Sequence, residues 1–292
     1  MLELRSRLLA AVREFFLGRA YLEVETPVLI PAPALELHID ALAAGKSYLR
    51  TSPELHMKRL LCAGYERIFQ IGPCFRSGER GRLHNPEFTM LEWYRAQADY
   101  MDILAETKEL LRSVAQACPG KPVAGGNGRI VDLCGEWQMF SVAELFEKYA
   151  HWNPLADFDE RRFEDDLVNC VEPHLPKDRA VVLRDYPAPA AALARLRAGD
   201  KRVAERWELY LGGIEIANAF SELTDAAEQR KRFEECARQR AALGGEVYKL
   251  DEEFLSALER GMPPAAGIAL GIDRLVMLFA GATSLDDVLP FR

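Results

Sequence analysis

Between Leu4 and Leu17 the apolar residues return at helical spacing. Leu8, Leu9, Val12, Phe15 and Phe16 form one stripe, and Arg5, Arg7, Arg13 and Glu14 lie off it, which predicts an amphipathic helix stopped near Gly18. Tyr21 to Pro27 alternates as a strand does, and Pro27, with no amide for a central ladder, suits a strand end or an interface. Residues 28 to 47 predict a loop with short strands. Ser52 and Pro53 then open a helix as cap and first-turn residue, with Glu54 in its first turn and either Leu55, Arg59 and Cys62 or Leu60 and Leu61 turned inward. An apolar strand from Glu66 to Ile71 leads into a charged hairpin whose return strand puts Phe88, Met90, Glu92 and Tyr94 on one face and Thr89, Leu91, Trp93 and Arg95 on the other. Tyr100 to Ala117 reads as a helix, with Met101, Leu104, Leu111 and Val114 near one face, and Pro119 to Asn127 as a turn or loop.

The second half is patterned less sharply. Phe140 to Tyr149 reads as a helix with Ser141 and Glu144 at capping spacing. Residues 157 to 172 read as an acidic helix, Arg179 to Arg184 as a buried strand, and Tyr186 to Pro189 as an extended turn. Trp207 to Leu211 and the strand after Gly212-Gly213 form a hairpin, whose return would place Glu215, Ala217 and Ala219 on one face. Arg230 to Arg240 predicts a charged helix with a solvated face, and Asp251 to Arg260 a helix with an N-cap acid and Gly261 past its end. Last comes a run of small residues, Gly261 to Gly271, entering a helix at Asp273-Arg274.

With 292 residues, 49% hydrophobic, the chain can bury a large core in one big domain or two small ones. A formal net charge of -8 argues against a dedicated nucleic-acid binder. The six cysteines form no C-x-x-C pair, so a structural zinc site is not expected, and they read as reduced, mostly buried thiols of a cytoplasmic protein. No apolar run is long enough to span a bilayer, and the first residues lack the pattern of a signal peptide. His151 and His174 have no partners at metal-ligand spacing.

Three stretches carry chemistry. In Phe75 to Arg95, Arg76, Arg80 and Arg82 crowd one loop with Glu79 and His84. Guanidinium forks match phosphate oxygens two at a time, so the loop suits a polyanion; an ordinary charged hairpin is the plainer alternative. In Trp207 to Asp225, Glu215 and Glu222 stand seven residues apart. An odd separation sends two side chains of a regular strand to opposite faces, so the strand must bulge or end between them if both acids serve one site. In Gly261 to Leu278, small residues would let a planar ring lie against a strand.

These stretches, in this order, resemble motifs 2 and 3 and the intervening acidic strand of the class II aminoacyl-tRNA synthetases, with His84-Asn85-Pro86-Glu87-Phe88-Thr89 the most specific match. The first helix, strand and Pro27 resemble motif 1, which builds the dimer interface in that family. The resemblance is closest to the lysine enzymes. It leaves no room for their N-terminal anticodon-binding barrel, so the chain looks like the stand-alone paralogue family, the elongation factor P (R)-β-lysine ligases. The resemblance implies an α+β class II catalytic fold, an antiparallel sheet flanked by helices, in a single domain over residues 1–292. It implies activation of (R)-β-lysine by ATP with Mg2+, transfer to a lysine of elongation factor P, a homodimer, and no tRNA or membrane partner.

Carried over position by position, the resemblance gives catalysis to Arg76, Glu215 and Arg274. ATP falls to Arg76, Glu79, Asn85, Glu215, Ile216, Gly271 and Arg274. The amino acid falls to Ser52, Pro53, Glu54, Tyr94, Glu222 and Ala269, and metal to Glu215 and Glu222. Ala269 stands where lysyl-tRNA synthetases usually have glycine, and its methyl would favour the β-amino acid. Gly78 stands where synthetases commonly have an acid, Ala219 where the family commonly has glycine, and Ile216 where it has leucine. Alternatives are a truncated lysyl-tRNA synthetase, a free amino-acid ligase of the asparagine synthetase type, and a non-catalytic regulatory paralogue.

Overall fold

The computed structural model describes residues 1–118 and 130–291; the turn expected at Pro119–Asn127 lies outside them. In chain order the elements are α1 (Leu2–Leu17), β1 (Leu22–Glu23), β2 (Leu29–Ile30), β3 (Ala43–Ala44), β4 (Ser47–Leu49), α2 (Glu54–Cys62), β5 (Arg67–Phe75), β6 (Glu87–Ala96) and α3 (Tyr100–Ala117). They continue with β7 (Gln138–Ser141), α4 (Val142–Leu145), α5 (Glu160–Asp166), β8 (Ala180–Pro187), β9 (Val203–Leu211), β10 (Ile214–Ser221), α6 (Ala226–Ala242), α7 (Glu252–Arg260), β11 (Ala265–Gly271) and α8 (Ile272–Phe279). Eight strands form one sheet in the order β1-β5-β6-β11-β10-β9-β8-β7, and β2, β4 and β3 form a small second sheet. Among the strands of the described residues, the pairings from β5 through β8 are antiparallel, and the edge strands β1 and β7 join in parallel.

The two faces of the sheet follow from alternation. Leu91 and Trp93 of β6, Ile268 and Leu270 of β11, Ala217 and Ala219 of β10, and Trp207 and Leu209 of β9 enter one core with α1, α3 and α8. Phe16 of α1 stacks on Phe69 with ring centroids 4.7 Å apart and lies 5.1 Å from Trp93, fixing the helix against the sheet. The alternate residues form rows across the other face. Glu92, Ala269, Asn218 and Glu208 are register partners in one row, and Tyr94, Gly267, Phe220 and Arg206 in the next. Small β11 residues between larger polar neighbours make this face a trough. Gly267 must stay without a side chain, because a methyl there would overlap the Tyr94 ring and the Glu222 carboxylate.

Several expectations are corrected. Glu215 does not share a face with Ala217 and Ala219. Glu215 pairs with Tyr210 and Ala217 with Leu209, so Ile216 is an extra residue that flips the parity of β10 and sends both alanines into the core. Helix α1 does stop at Gly18, its C-cap, which keeps a right-handed φ of -65°, and the left-handed turn comes two residues later at Ala20, with φ 59°. Ser52 sits one residue ahead of the helix cap, yet its Oγ accepts the amide of Glu54 at 2.9 Å, so it still satisfies the first turn. The turn expected at Tyr186–Pro189 begins two residues later, since Tyr186 and Pro187 remain in β8. The α6 face is not wholly solvated, because Gln229, Phe233 and Arg240 are buried. Of the six free cysteines, only Cys74 and Cys118 are buried. Gly212 and Gly213 both have the positive φ of the expected hairpin turn, at 62° and 78°, and Ser141 and Glu144 form the expected reciprocal capping box, although Phe140 and Ser141 themselves end β7 and α5 covers only Glu160–Asp166 of the acidic stretch.

Candidate active site

The sheet trough and the β5–β6 hairpin enclose a cavity of about 250 Å³. Arg76, Glu79 and Asn85 reach it from the hairpin, Glu215 and Ile216 from β10, Ala269 and Gly271 from β11, and Arg274 from the start of α8. Arg76 and Arg274, 198 positions apart in sequence, thus face one space. Arg76 lies over the Phe88 ring at 5.2 Å and 3.7 Å from Glu79, and its Nε is buried without a hydrogen-bond partner. Arg274 donates to the Glu215 carbonyl at 2.7 Å and to its carboxylate at 3.2 Å, and contacts His84 Nε2 at 2.9 Å. Burial and the adjacent Arg274 cation push the His84 imidazole below its ordinary value. Two fixed cations above a floor of small residues suit a polyphosphate and a flat ring.

A second cluster lies behind the cavity, on the α2 side of the trough. Ser52 Oγ donates to Glu92 Oε1 at 2.6 Å, and the Tyr94 hydroxyl to Glu92 Oε2 at 2.8 Å. The fully buried Lys58 donates to Glu54 at 2.5 Å and makes an ionic contact, also 2.5 Å, with Glu222. Neither Glu222 oxygen has a well-directed hydrogen bond. Burial, reinforced by Glu54, pushes Glu92 up to about 7. Burial pushes Glu222 up to about 8, against the opposing pull of Lys58. Burial also draws the Lys58 ammonium down, but the Glu222 and Glu54 charges outweigh it and leave Lys58 raised. Three carboxyls around one internal ammonium make a pocket with unspent affinity for further positive charge.

The expected residues therefore divide between two adjoining sites. The cavity gathers Arg76, Glu79, Asn85, Glu215, Ile216, Ala269, Gly271 and Arg274, and the buried cluster gathers Ser52, Glu54, Tyr94 and Glu222, with Pro53 opening α2 beside it. Glu222 does not line the cavity; it closes on Lys58. The acid beside Glu215 is instead Glu208, across the β9–β10 hairpin. Burial raises Glu208 above the ordinary carboxylate range, and the Glu215 charge adds to the rise. Glu208 is held by Arg206 at 2.7 Å and by the Tyr210 hydroxyl at 2.8 Å.

Sequence reasoning missed Glu36, Lys58, Arg206, Glu208, Asn218 and Asp273. Asn218 and Glu208 could have been found once the bulge at Ile216 was assumed, since parity then puts both on the trough face. Asp273 is nearly fully buried; it accepts Arg5 Nη1 at 2.5 Å and the Thr89 amide at 2.7 Å, tying α1 and β6 to the turn that carries Arg274.

The family model for class II tRNA synthetases (D, K and N) matches residues 1–292. The elongation factor P--(R)-beta-lysine ligase of Klebsiella pneumoniae (strain 342) is 42% identical over 308 aligned positions, which cover 98% of this chain and 93% of the relative. The proteins of that name from Hamiltonella defensa and Proteus mirabilis are 40% and 39% identical over the same shares of each chain.

Proposed function

The chain belongs to the class II tRNA synthetase family, among the elongation factor P (R)-β-lysine ligases, and from this premise we propose that it activates (R)-β-lysine with ATP and transfers it to a lysine of elongation factor P. The observation that carries this reading is the convergence of Arg76, Glu215 and Arg274 on one cavity beside a buried acidic pocket.

The amino acid would place its ammonium groups against Glu54, Glu92 and Glu222, with Ser52 and Tyr94 orienting Glu92 and Ala269 shaping the floor. Its carboxylate then faces the cavity and attacks the α-phosphorus of ATP, expelling pyrophosphate. The protein supplies position and charge, not a covalent intermediate. Arg76, with its unpartnered Nε, would stabilise charge at the α-phosphate, and Arg274 would hold the terminal phosphate. Glu79 and Asn85 would flank the adenine side, and Gly271 would leave room for the ring.

Magnesium fits this donor set. Among the described residues no group of three or more candidate ligands converges, so a divalent ion here would draw its remaining ligands from phosphate oxygens, as magnesium commonly does. Glu215 would hold it, with Glu208 beside it, and it would neutralise charge on the phosphates. We assign Glu222 to the substrate ammonium rather than to the metal, because its carboxylate is already turned to Lys58. The exposed Leu2, Leu17 and Leu22 of α1 and β1 are the apolar surface a homodimer would cover. Among the described residues no helix is long and apolar enough to cross a membrane.

ATP–pyrophosphate exchange tests the activation step. Exchange supported by (R)-β-lysine above α-lysine is expected. Arg76→Ala and Arg274→Ala should each lower kcat/KM by about 100-fold. Exchange with neither amino acid, or full activity in both variants, would overturn the reading.

A further inference from the structure

Glu36 has no part in the mechanism above, yet its side chain lines the cavity. It is half-buried, and its carboxylate makes no hydrogen bond or ion pair with any described residue. The loop that carries it is nonetheless fixed. Nearly fully buried Arg240 donates to the carbonyls of Glu36 at 2.6 Å, Leu37 at 3.2 Å and Ile39 at 3.1 Å, and to the Asp40 carboxylate at 2.5 Å. The Ser77 amide donates to the Asp40 carbonyl at 2.7 Å, joining this loop to the β5–β6 hairpin just past Arg76. Both terminal nitrogens of Arg240 are given to this loop, while its Nε holds the Glu246 carbonyl at 2.7 Å, so the loop is fixed against α6 and the chain that follows it.

The charges that face Glu36 come from every side. Arg76 and Glu79 belong to the hairpin, Arg206 to β9 and Glu54 to α2. Burial raises its carboxyl above the ordinary range, with Glu54 and Glu79 adding to the rise and the two arginines opposing it. Glu36 therefore lines the same cavity as Arg76, the arginine assigned to the α-phosphate, and feels the charge of Glu54, an acid of the ammonium pocket. In the mixed anhydride those two subsites would hold, the reactive carbonyl carbon sits between them. A carboxylate repels phosphate but attracts an incoming ammonium, and the exposed His38 shows that this loop faces solvent, from which a protein substrate must arrive.

Building on the reading under Proposed function, we propose that Glu36 binds the ε-ammonium of the acceptor lysine and removes its proton in the transfer step. One proton passes from the ammonium to the Glu36 carboxylate, which frees the nitrogen lone pair. The nitrogen attacks the carbonyl carbon, the new N–C bond forms, and the C–O bond to AMP breaks. The second amine proton leaves with the AMP phosphate or to water, and Glu36 returns its proton to solvent. No oxidant or further co-reactant is needed.

The test separates the two half-reactions in wild type, Glu36→Gln and Glu36→Asp. Adenylate formation is read by pyrophosphate exchange, and transfer by single-turnover acylation of elongation factor P from preformed adenylate across pH 6 to 9. The ratio of transfer to exchange should fall about 100-fold in E36Q, and its transfer should climb with pH across the whole range, as loss of the ammonium proton to solvent demands, where the wild type levels off. E36D, which keeps the base but draws it back, should fall between the two. If E36Q does not fold by its melting curve, E36D decides alone: a ratio reduced about 10-fold with the wild type's levelling at high pH retained supports the role. A ratio within about threefold of wild type, or exchange and transfer falling in parallel, overturns it. If the wild type fails to acylate elongation factor P at all, the failure belongs to the proposed function; if wild type transfers and the variants match it, only the role of Glu36 is lost.

Discussion

Glu92 is the residue whose environment departs furthest from what its position in an alternating strand suggests. It sits on the polar face of β6 but is 1% exposed, and burial pushes its carboxyl from the ordinary 4.5 up to about 7. The sign of the consequence is fixed. Between pH 4.5 and 7 the folded protein keeps a proton that the unfolded chain has lost, so this group's contribution to stability falls as pH rises through that window and is level above 7. Glu92→Gln removes that contribution. Urea unfolding of wild type and E92Q at pH 5 and pH 7.5 should show the wild type losing about 2 kcal/mol more than the variant over this interval; an equal change in both would contradict the assignment. The sequence showed Glu92 and Tyr94 on one face, but not that Ser52, from another element, would close over Glu92. Lys58 was hidden more thoroughly, because a lysine inside a helix reads as surface until its neighbours are known to be Glu54 and Glu222.

Among elements, the return strand β10 carries the most consequence. Its seven-residue separation of acids already required a break in regularity, and the break is one extra residue at Ile216. That bulge turns Glu215, Asn218 and Phe220 toward the trough while Ala217 and Ala219 fill the core. The location of the break was not legible, because Ile216 is apolar on either parity. Helix α1 shows a second limit. Its apolar stripe predicted the packing of Leu8, Val12, Phe15 and Phe16, but gave no sign that Arg5, off that stripe, reaches Asp273 and Thr89. Arg5→Ala would leave Asp273 buried with only the Thr89 amide as partner. A loss of about 3 kcal/mol in denaturant unfolding is expected, and a change under 0.5 kcal/mol would show that α1 does not brace the turn carrying Arg274.

At the scale of the whole molecule, order along the chain was a better guide than local pattern. The hairpin, the acidic strand and the small-residue strand are distant in sequence, yet they become β6, β10 and β11, three adjacent strands of one sheet. Their adjacency places Arg76, Glu215 and Arg274 around one cavity. The segment between α3 and β9 was the least legible, since its helices are short and broken and its strands lie at the sheet's far side. The central claim is that this platform hands an activated β-amino acid to a protein rather than to RNA. The direct measurement is a competition: purified chain, ATP, Mg2+ and labelled (R)-β-lysine, with elongation factor P and lysine tRNA at equal concentration. Label on a lysine of elongation factor P, dependent on ATP, is the predicted result. Label accumulating on the tRNA in preference to the protein would contradict the account.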